Sequence, residues 1–299
     1  MSYGLLSALS WGISTLLAAV AARRIGALRT LVLGEATGLA AYLTLFGLGH
    51  FSLRGAGSTA WLLVLAGMIG VIGYLAMYRG LESGHVGLVS AITACYGGVI
   101  AVLSVLLLRE HLTLPATLGI VATVLGVVLA VLRRTTAPAR SGIPASAAPA
   151  PSGPAPAAAP AIGAAFGLVA ALCYGVGGFM IGRYTRDLGW LVPVVISRFG
   201  SMALLLVLLA TPLRGPAGTR RASGTAWALA AGLADAAGLV FFTRGDQVGL
   251  IAVTAAVSSA YPVIPLVGGL LIFRERMARQ QVGGAILILA GLVLLGLGS

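Results

Sequence analysis

In a chain of 299 residues, 59% hydrophobic residues against only 9% charged ones, with a mean hydropathy of +1.04, carry more apolar surface than a water-soluble core can hide and place the protein in a membrane. A formal charge of +12 would suggest nucleic acid in a soluble protein, but all 19 basic residues are arginines that punctuate apolar runs, so they read as topology signals and lipid-headgroup contacts, and no nucleic-acid partner is expected. The two cysteines, Cys95 and Cys173, lie inside apolar runs without CxxC spacing, and neither a disulfide nor a metal site is expected.

Apolar runs of about 20 residues, the length that crosses the hydrocarbon at about 1.5 Å per residue, recur ten times. They are Tyr3–Ala22, Thr30–Gly49, Ala60–Tyr78, Val86–Leu108, Pro115–Leu132, Ile162–Ile181, Leu191–Leu213, Thr225–Phe242, Val248–Phe273 and Val282–Leu297. The first ends in small residues as a signal peptide does, but no basic segment precedes it and its Trp11-Gly12 matches Tyr174-Gly175, so it is read as a helix. Between the fifth and sixth runs, residues 133–160 are mostly Ala, Pro and Ser without apolar periodicity. This stretch reads as an extended linker between two five-helix units, residues 1–132 and 161–299. Five is odd, so the second unit starts on the opposite side of the membrane and the halves form an inverted repeat.

The repeat is visible residue by residue. At an offset of 165, Gly67 falls on Gly232, Gly73 on Gly238, Arg79-Gly80 on Arg244-Gly245, Gly84 on Gly249, Tyr96 on Tyr261, Arg109-Glu110 on Arg274-Glu275, Gly119 on Gly284 and Gly126 on Gly291. Composition alone does not place Tyr on Tyr and two arginine dipeptides together.

The ninth run is interrupted by Pro262 and Pro265, each of which removes a backbone donor and crowds the carbonyl four residues earlier. The fourth carries its weak point, Gly97-Gly98, at the matching place. In lipid such a break is tolerated only where neighbouring helices or a water-filled cavity satisfy the freed groups, and paired breaks in two halves point to a transporter's binding site. Ser90, Thr93, Gly97 and Ser104 share one face of the fourth run, and Thr254, Ser258, Tyr261 and Pro265 one face of the ninth. These faces either line a cavity or hold helices together by hydrogen bonds. Tyr74 and Tyr78, Trp11 and Tyr174 add aromatic walls that suit a solute with apolar or planar parts, Tyr78 being equally an interface anchor, and Tyr96 and Tyr261 are further candidate binding residues.

Three charges lie well inside runs: Glu35, Arg198 and Asp235. Arg198 and Asp235 sit at similar depth and are expected to pair, possible purely as a device that orients two helices. Glu35 has no cation at its own depth, which makes it the candidate for proton coupling. Glu110 and Glu275, just before the fifth and tenth helices, are expected to serve positive helix ends.

These features resemble the EamA family of the drug/metabolite transporter superfamily, over both halves. The residues that carry the resemblance are Trp11-Gly12 and Tyr174-Gly175, Arg198-Phe199, Ser259-Ala260-Tyr261-Pro262, and Glu110 and Glu275. The first half departs from it twice, with Gly97 where proline is usual and Glu35 at the position of Arg198 (35+163=198). The expected protein is an all-α integral membrane protein of ten transmembrane helices in two inverted five-helix repeats, multi-pass in the cell membrane. It is expected to act as a secondary transporter of small organic solutes such as amino acids, metabolites or drugs by alternating access, with export implied by the resemblance. No HExxH, GxSxG or P-loop pattern is present, so no enzyme activity and no cofactor are expected. The alternatives are a membrane-embedded enzyme or lipid-handling protein, which would need a catalytic constellation, and a membrane scaffold, which would not need two matching breaks. A monomer suffices for this reading.

Orientation follows from charge. Thirteen arginines fall on the side reached after odd-numbered runs and five on the other, which puts both termini outside, whereas the resemblance implies both in the cytoplasm. A cytoplasm-only fluorescent reporter fused after Ser299 is expected to stay dark on the charge argument; fluorescence there overturns it.

Overall fold

The computed structural model describes residues 1–49, 51–82, 89, 92–131, 159–210, 222–264 and 279–298, which are mostly helical with no strand among them. Eleven helices follow in order: α1 Ser2–Ile25, α2 Ala27–Leu48, α3 Ala60–Glu82, α4 Tyr96–Leu108, α5 Leu114–Val131, α6 Ala159–Arg183, the single turn α7 Thr185–Leu188, α8 Val192–Ala210, α9 Ala222–Val248, α10 Ile251–Ser258 and α11 Arg279–Gly298. Six of them are long and apolar enough to cross a membrane, and shorter apolar helices accompany them, as an integral membrane protein requires. Each of the ten expected runs coincides at least in part with a helix. The linker expected at 133–160 lies almost wholly outside the described residues, as do Ser90, Pro265 and Glu275.

Three helices, α1, α2 and α9, run past the ends of their apolar runs. Arg23, Arg24 and Arg29, expected in a loop, are helical, because α1 and α2 are joined by the single residue Gly26. Its φ of 87° lies in a region that only glycine enters without cost, and its N–H bonds to the Ala22 carbonyl. The eighth run was expected to stop at Phe242, but α9 continues to Val248 and carries Arg244 and Asp246 within the helix.

The packing is built from contacts that occur twice. α1 packs along α9, and α6, which corresponds to α1, packs along α3, which corresponds to α9. Trp11 lies on Gly238 and Tyr174 on Gly73; Gly12 faces Ile264 and Gly175 faces Val99. Offsets of 163 and 165 convert one member of each pair into the other. Helices that meet their own counterpart, namely α2 with α8, α4 with α10 and α5 with α11, must then cross at the pseudo-two-fold axis. The α5–α11 crossing shows how close the backbones come: a methyl on Gly119 would stand 2.8 Å from the Gly291 carbonyl, and one on Gly126 would stand 2.8 Å from the Gly284 carbonyl. Lipid gives no hydrophobic drive for helices to associate, so small residues that permit this approach supply dispersion contacts instead.

The breaks lie on the same axis but not where the glycine pair suggests. The first half turns at Ala94–Cys95, and Gly97 and Gly98 belong to the first turn of α4. The second half turns at Ser259–Pro262. In both, the chain tightens to bonds between residues three apart: Cys95 N–H to Ile92 O (3.1 Å) and Gly98 N–H to Cys95 O (2.9 Å), matched by Ala260 N–H to Val257 O (3.2 Å) and Val263 N–H to Ala260 O (3.0 Å). Pro262 cannot bond back to Ser258, so the Ser258 carbonyl takes the Tyr261 N–H instead (3.1 Å) and the distortion precedes the proline. Gly97 has a different task, since a methyl there would stand 2.8 Å from the Ala255 carbonyl of α10.

Gly126→Val is expected to lower stability by about 1–3 kcal/mol through overpacking of the α5–α11 crossing. Gly283→Ala, in the same helix α11 but with nothing within 4 Å of the added methyl, is expected to be neutral or stabilising by up to about 1 kcal/mol. Melting temperatures of the two purified variants check this; equal losses would contradict the assigned packing.

Candidate functional site

One face of α9 organises the interior. Asp235, Gly238, Phe242 and Asp246 recur at i, i+3, i+7 and i+11, a spacing that returns to the same side of a helix after about three turns. Trp11 from α1 lies over Gly238 and stacks at a tilt on Phe242, with ring centroids 5.6 Å apart. Tyr96, at the start of α4, meets the Trp11 ring edge-on at 6.3 Å and its own repeat counterpart Tyr261 at 6.5 Å. Its hydroxyl is 3.3 Å from the Ser258 hydroxyl, which also donates to the Ala255 carbonyl (3.0 Å). Tyr174 packs into the same cluster and meets Tyr74 edge-on at 5.2 Å.

Residues picked from the sequence as Trp11, Tyr74, Tyr96, Tyr174, Ser258 and Tyr261 therefore come together where both breaks meet. Thr93 is buried on the N-terminal side of the Ala94–Cys95 turn, and neither its hydroxyl nor that of Ser104 has a hydrogen-bond partner among the described residues. Around Gly97 the α4 and α10 faces are in direct contact, with Ser259 against the glycine and its hydroxyl donated to Ala256 O (2.8 Å). The Ser259 bond stays within its own segment, and among the described residues the Tyr96–Ser258 hydroxyl pair is the polar contact between the two faces.

The three intramembrane charges form one cluster rather than a pair and an isolated acid. Arg198 of α8 donates through Nη2 to Asp235 Oδ2 of α9 (2.6 Å) and through Nη1 to Glu35 Oε1 of α2. The expectation that Glu35 lacks a cation is thereby corrected. Depth along separate runs could not show that α2 and α8 meet on the axis, where Glu35 faces the residue at its own repeat position. Two identical charges there would repel, so the departure of the first half from the Arg-Phe pattern turns a self-facing position into an ion pair. Tyr42, not singled out from the sequence, lies under the guanidinium, 5.7 Å from its ring centroid, and donates to the Ala236 carbonyl (3.2 Å). Glu35 and Arg198 are buried, and Asp235 is partly so.

A second correction concerns Glu110. It does not serve the helix that follows it; its two carboxylate oxygens accept the Ile251 and Ala252 N–H groups (3.0 and 3.2 Å), capping α10 of the other half. Arg109 makes this possible by ending α4 in the left-handed region (φ 54°), which turns Glu110 back toward the axis. Asp246 and Phe242 were also missed, because the polar sequence Thr243-Arg244-Gly245-Asp246-Gln247 reads as the end of a span. The i, i+7, i+11 spacing from Asp235 was the signal that could have found them.

The sequence profile of the EamA-like transporter family matches residues 1–132 and 161–297. The chain belongs to this family. That family belongs to the drug/metabolite transporter superfamily. A shorter match, 33% identical over 66 residues, links 22% of this EamA-like chain to an uncharacterized protein of Methanocaldococcus jannaschii; the match spans about half, 48%, of that relative. A solved crystal structure of a protein superposes with a TM-score of 0.69 at 18% identity, covering 99% of this chain and 95% of that one. At that identity the likeness establishes the fold alone.

In this EamA-like transporter, Arg198→Met is expected to be the most damaging change in the charge cluster, because it strands two carboxylates; breaking such a buried ion network costs about 3–5 kcal/mol. Adding Asp235→Leu recovers only part of the loss, since Glu35 stays uncompensated, and the triple change with Glu35→Leu recovers most of it. Melting temperatures of the series check the order; full recovery in the double variant would show that the Glu35 contact carries no weight.

Proposed function

We propose that this protein is a secondary transporter that moves a small organic solute across the cell membrane by alternating access between its two halves. The observation that carries this reading is the meeting of two interrupted helices on the pseudo-two-fold axis, with rings from both halves around them: Trp11 and Tyr96 from the first, Tyr174 and Tyr261 from the second. Around such a site, rocking of one half against the other exposes the axis to each side in turn. Aromatic faces with only a few hydroxyls favour a solute with a planar or apolar part, such as an aromatic metabolite, an amino acid with an apolar side chain or a drug-like molecule. Export is the proposed direction, on the resemblance to exporters of the family. Within this reading Arg198, Glu35 and Asp235 hold α2, α8 and α9 together, because each carboxylate already has a cation. Proton coupling through Glu35 would require that ion pair to open during the cycle.

A thermal-shift screen of the purified protein against amino acids, other metabolites and cationic drugs is expected to find a solute that raises the melting temperature, since a ligand bound only by the folded state stabilises it. Trp11→Ala and Tyr261→Ala are each expected to weaken that solute by about 3- to 10-fold, the worth of one aromatic contact. The same solute should exchange across proteoliposome membranes. Stabilisation that is insensitive to both substitutions would place the site elsewhere, and binding without exchange would refute transport.

A further inference from the structure

Asp246 is the one acidic group among the described residues that is completely buried while neither of its oxygens accepts a hydrogen bond there. The neighbours that could compensate it are shared with other groups. From α7, the Arg186 guanidinium donates to the Gly249 carbonyl (2.7 Å) and stands 3.8 Å from Glu110 Oε1. From the segment after α4, Glu110 faces Asp246 as a like charge, and its own oxygens are satisfied by the α10 N-terminus. From α10, the Thr254 hydroxyl is the nearest donor to Asp246, and it is shared with the Leu250 carbonyl (3.2 Å). From α6, Gly182 packs directly against the carboxylate, where any side chain would displace it. On its own helix, Arg244 turns away to lie over the Trp190 ring at 4.7 Å and toward Gln247. From α4, Tyr96 of the aromatic cluster lies within reach of its field.

We propose that Asp246 is a proton-binding site, holding a proton as a carboxylic acid while α6, α9 and α10 are packed around it and releasing that proton to water when they part. A carboxylate so placed has no cation in contact with it and only the shared Thr254 hydroxyl within reach as a donor, and a buried group so poorly compensated takes up a proton rather than stay charged. The site lies next to the capped start of α10, one of the two interrupted helices. Separation of α10 from Glu110 would therefore admit water and leave Arg186 a free carboxylate to pair with. The inference rests on the alternating-access reading for its use in transport, but the protonated state itself does not.

The test is infrared spectroscopy of the purified full-length protein in lipid bilayers at neutral pH, without any solute. The probe is the C=O stretch of a protonated carboxyl group, which is separate from the carboxylate bands. The wild type is expected to show this band, Asp246→Asn to lose it, and Asp235→Asn and Glu35→Gln to keep it. Should Asp246→Asn fail to fold, carboxyl-carbon-13 labelling of aspartate in the wild type takes its place. The chain has three aspartates, Asp187, Asp235 and Asp246; Asp187 is exposed in an ion pair with Arg183, and Asp235→Asn removes the other. A band that shifts with the label in both the wild type and Asp235→Asn supports the proposal. Absence of the band, a band insensitive to the label, or its loss in Asp235→Asn overturns it. Failure of transport with the band present would instead count against the alternating-access reading.

Discussion

A hydrocarbon bilayer offers no water to the backbone, so a helix can be opened in its interior only where other protein covers the opening. That constraint places both interrupted helices of this protein on the pseudo-two-fold axis. There α4 covers the turn that ends α10, and α10 covers the start of α4 through the Gly97 contact with Ala255 and Ser259. Each break is also made as small as the chain allows, by bonds between residues three apart in place of four. Either half by itself would leave its broken helix without the cover that the other supplies, so the two halves depend on each other.

The axis has electrostatic consequences as well as steric ones. A residue on it faces its own counterpart, which suits apolar and hydrogen-bonding groups, as with Tyr96 and Tyr261, and penalises charge unless the two halves differ. Glu35 and Arg198 differ, and the same guanidinium also holds Asp235. Glu110 shows the other way the halves are tied: the end of α4 supplies the anion that the start of α10 needs. Ties of both kinds are strong in a low dielectric yet made of few contacts, which suits the proposed rocking of one half against the other.

The helix α9 links these regions. Its inner face carries the ion-paired Asp235, the glycine that receives Trp11, the Phe242 ring and finally Asp246. A change in the tilt of this one helix would act on the charge cluster, the aromatic walls and the buried acid together. Small shifts at one level are transmitted because packed helices have few alternative arrangements rather than a continuum of them.

Much of this was legible in the amino-acid order. Hydropathy determines a helical membrane protein, because lipid admits so few backbone solutions; the odd number of spans per unit implies inversion; and the matched positions, Tyr96 with Tyr261 and Gly126 with Gly291, mark the repeat. The aromatic residues of the candidate site were also readable, since they lie near the breaks. Only the tertiary structure decided which groups share a partner. Glu35 looked unpaired because its cation is 163 positions away, Glu110 seemed to belong to the helix beside it in sequence, and Asp246 was hidden in a polar run that turned out to be the end of a long helix. Apolar content sets where the chain goes through local transfer free energies that add along the sequence. Pairing of buried charges depends on which helices meet, and that is determined by close backbone contacts between distant segments rather than by any local pattern.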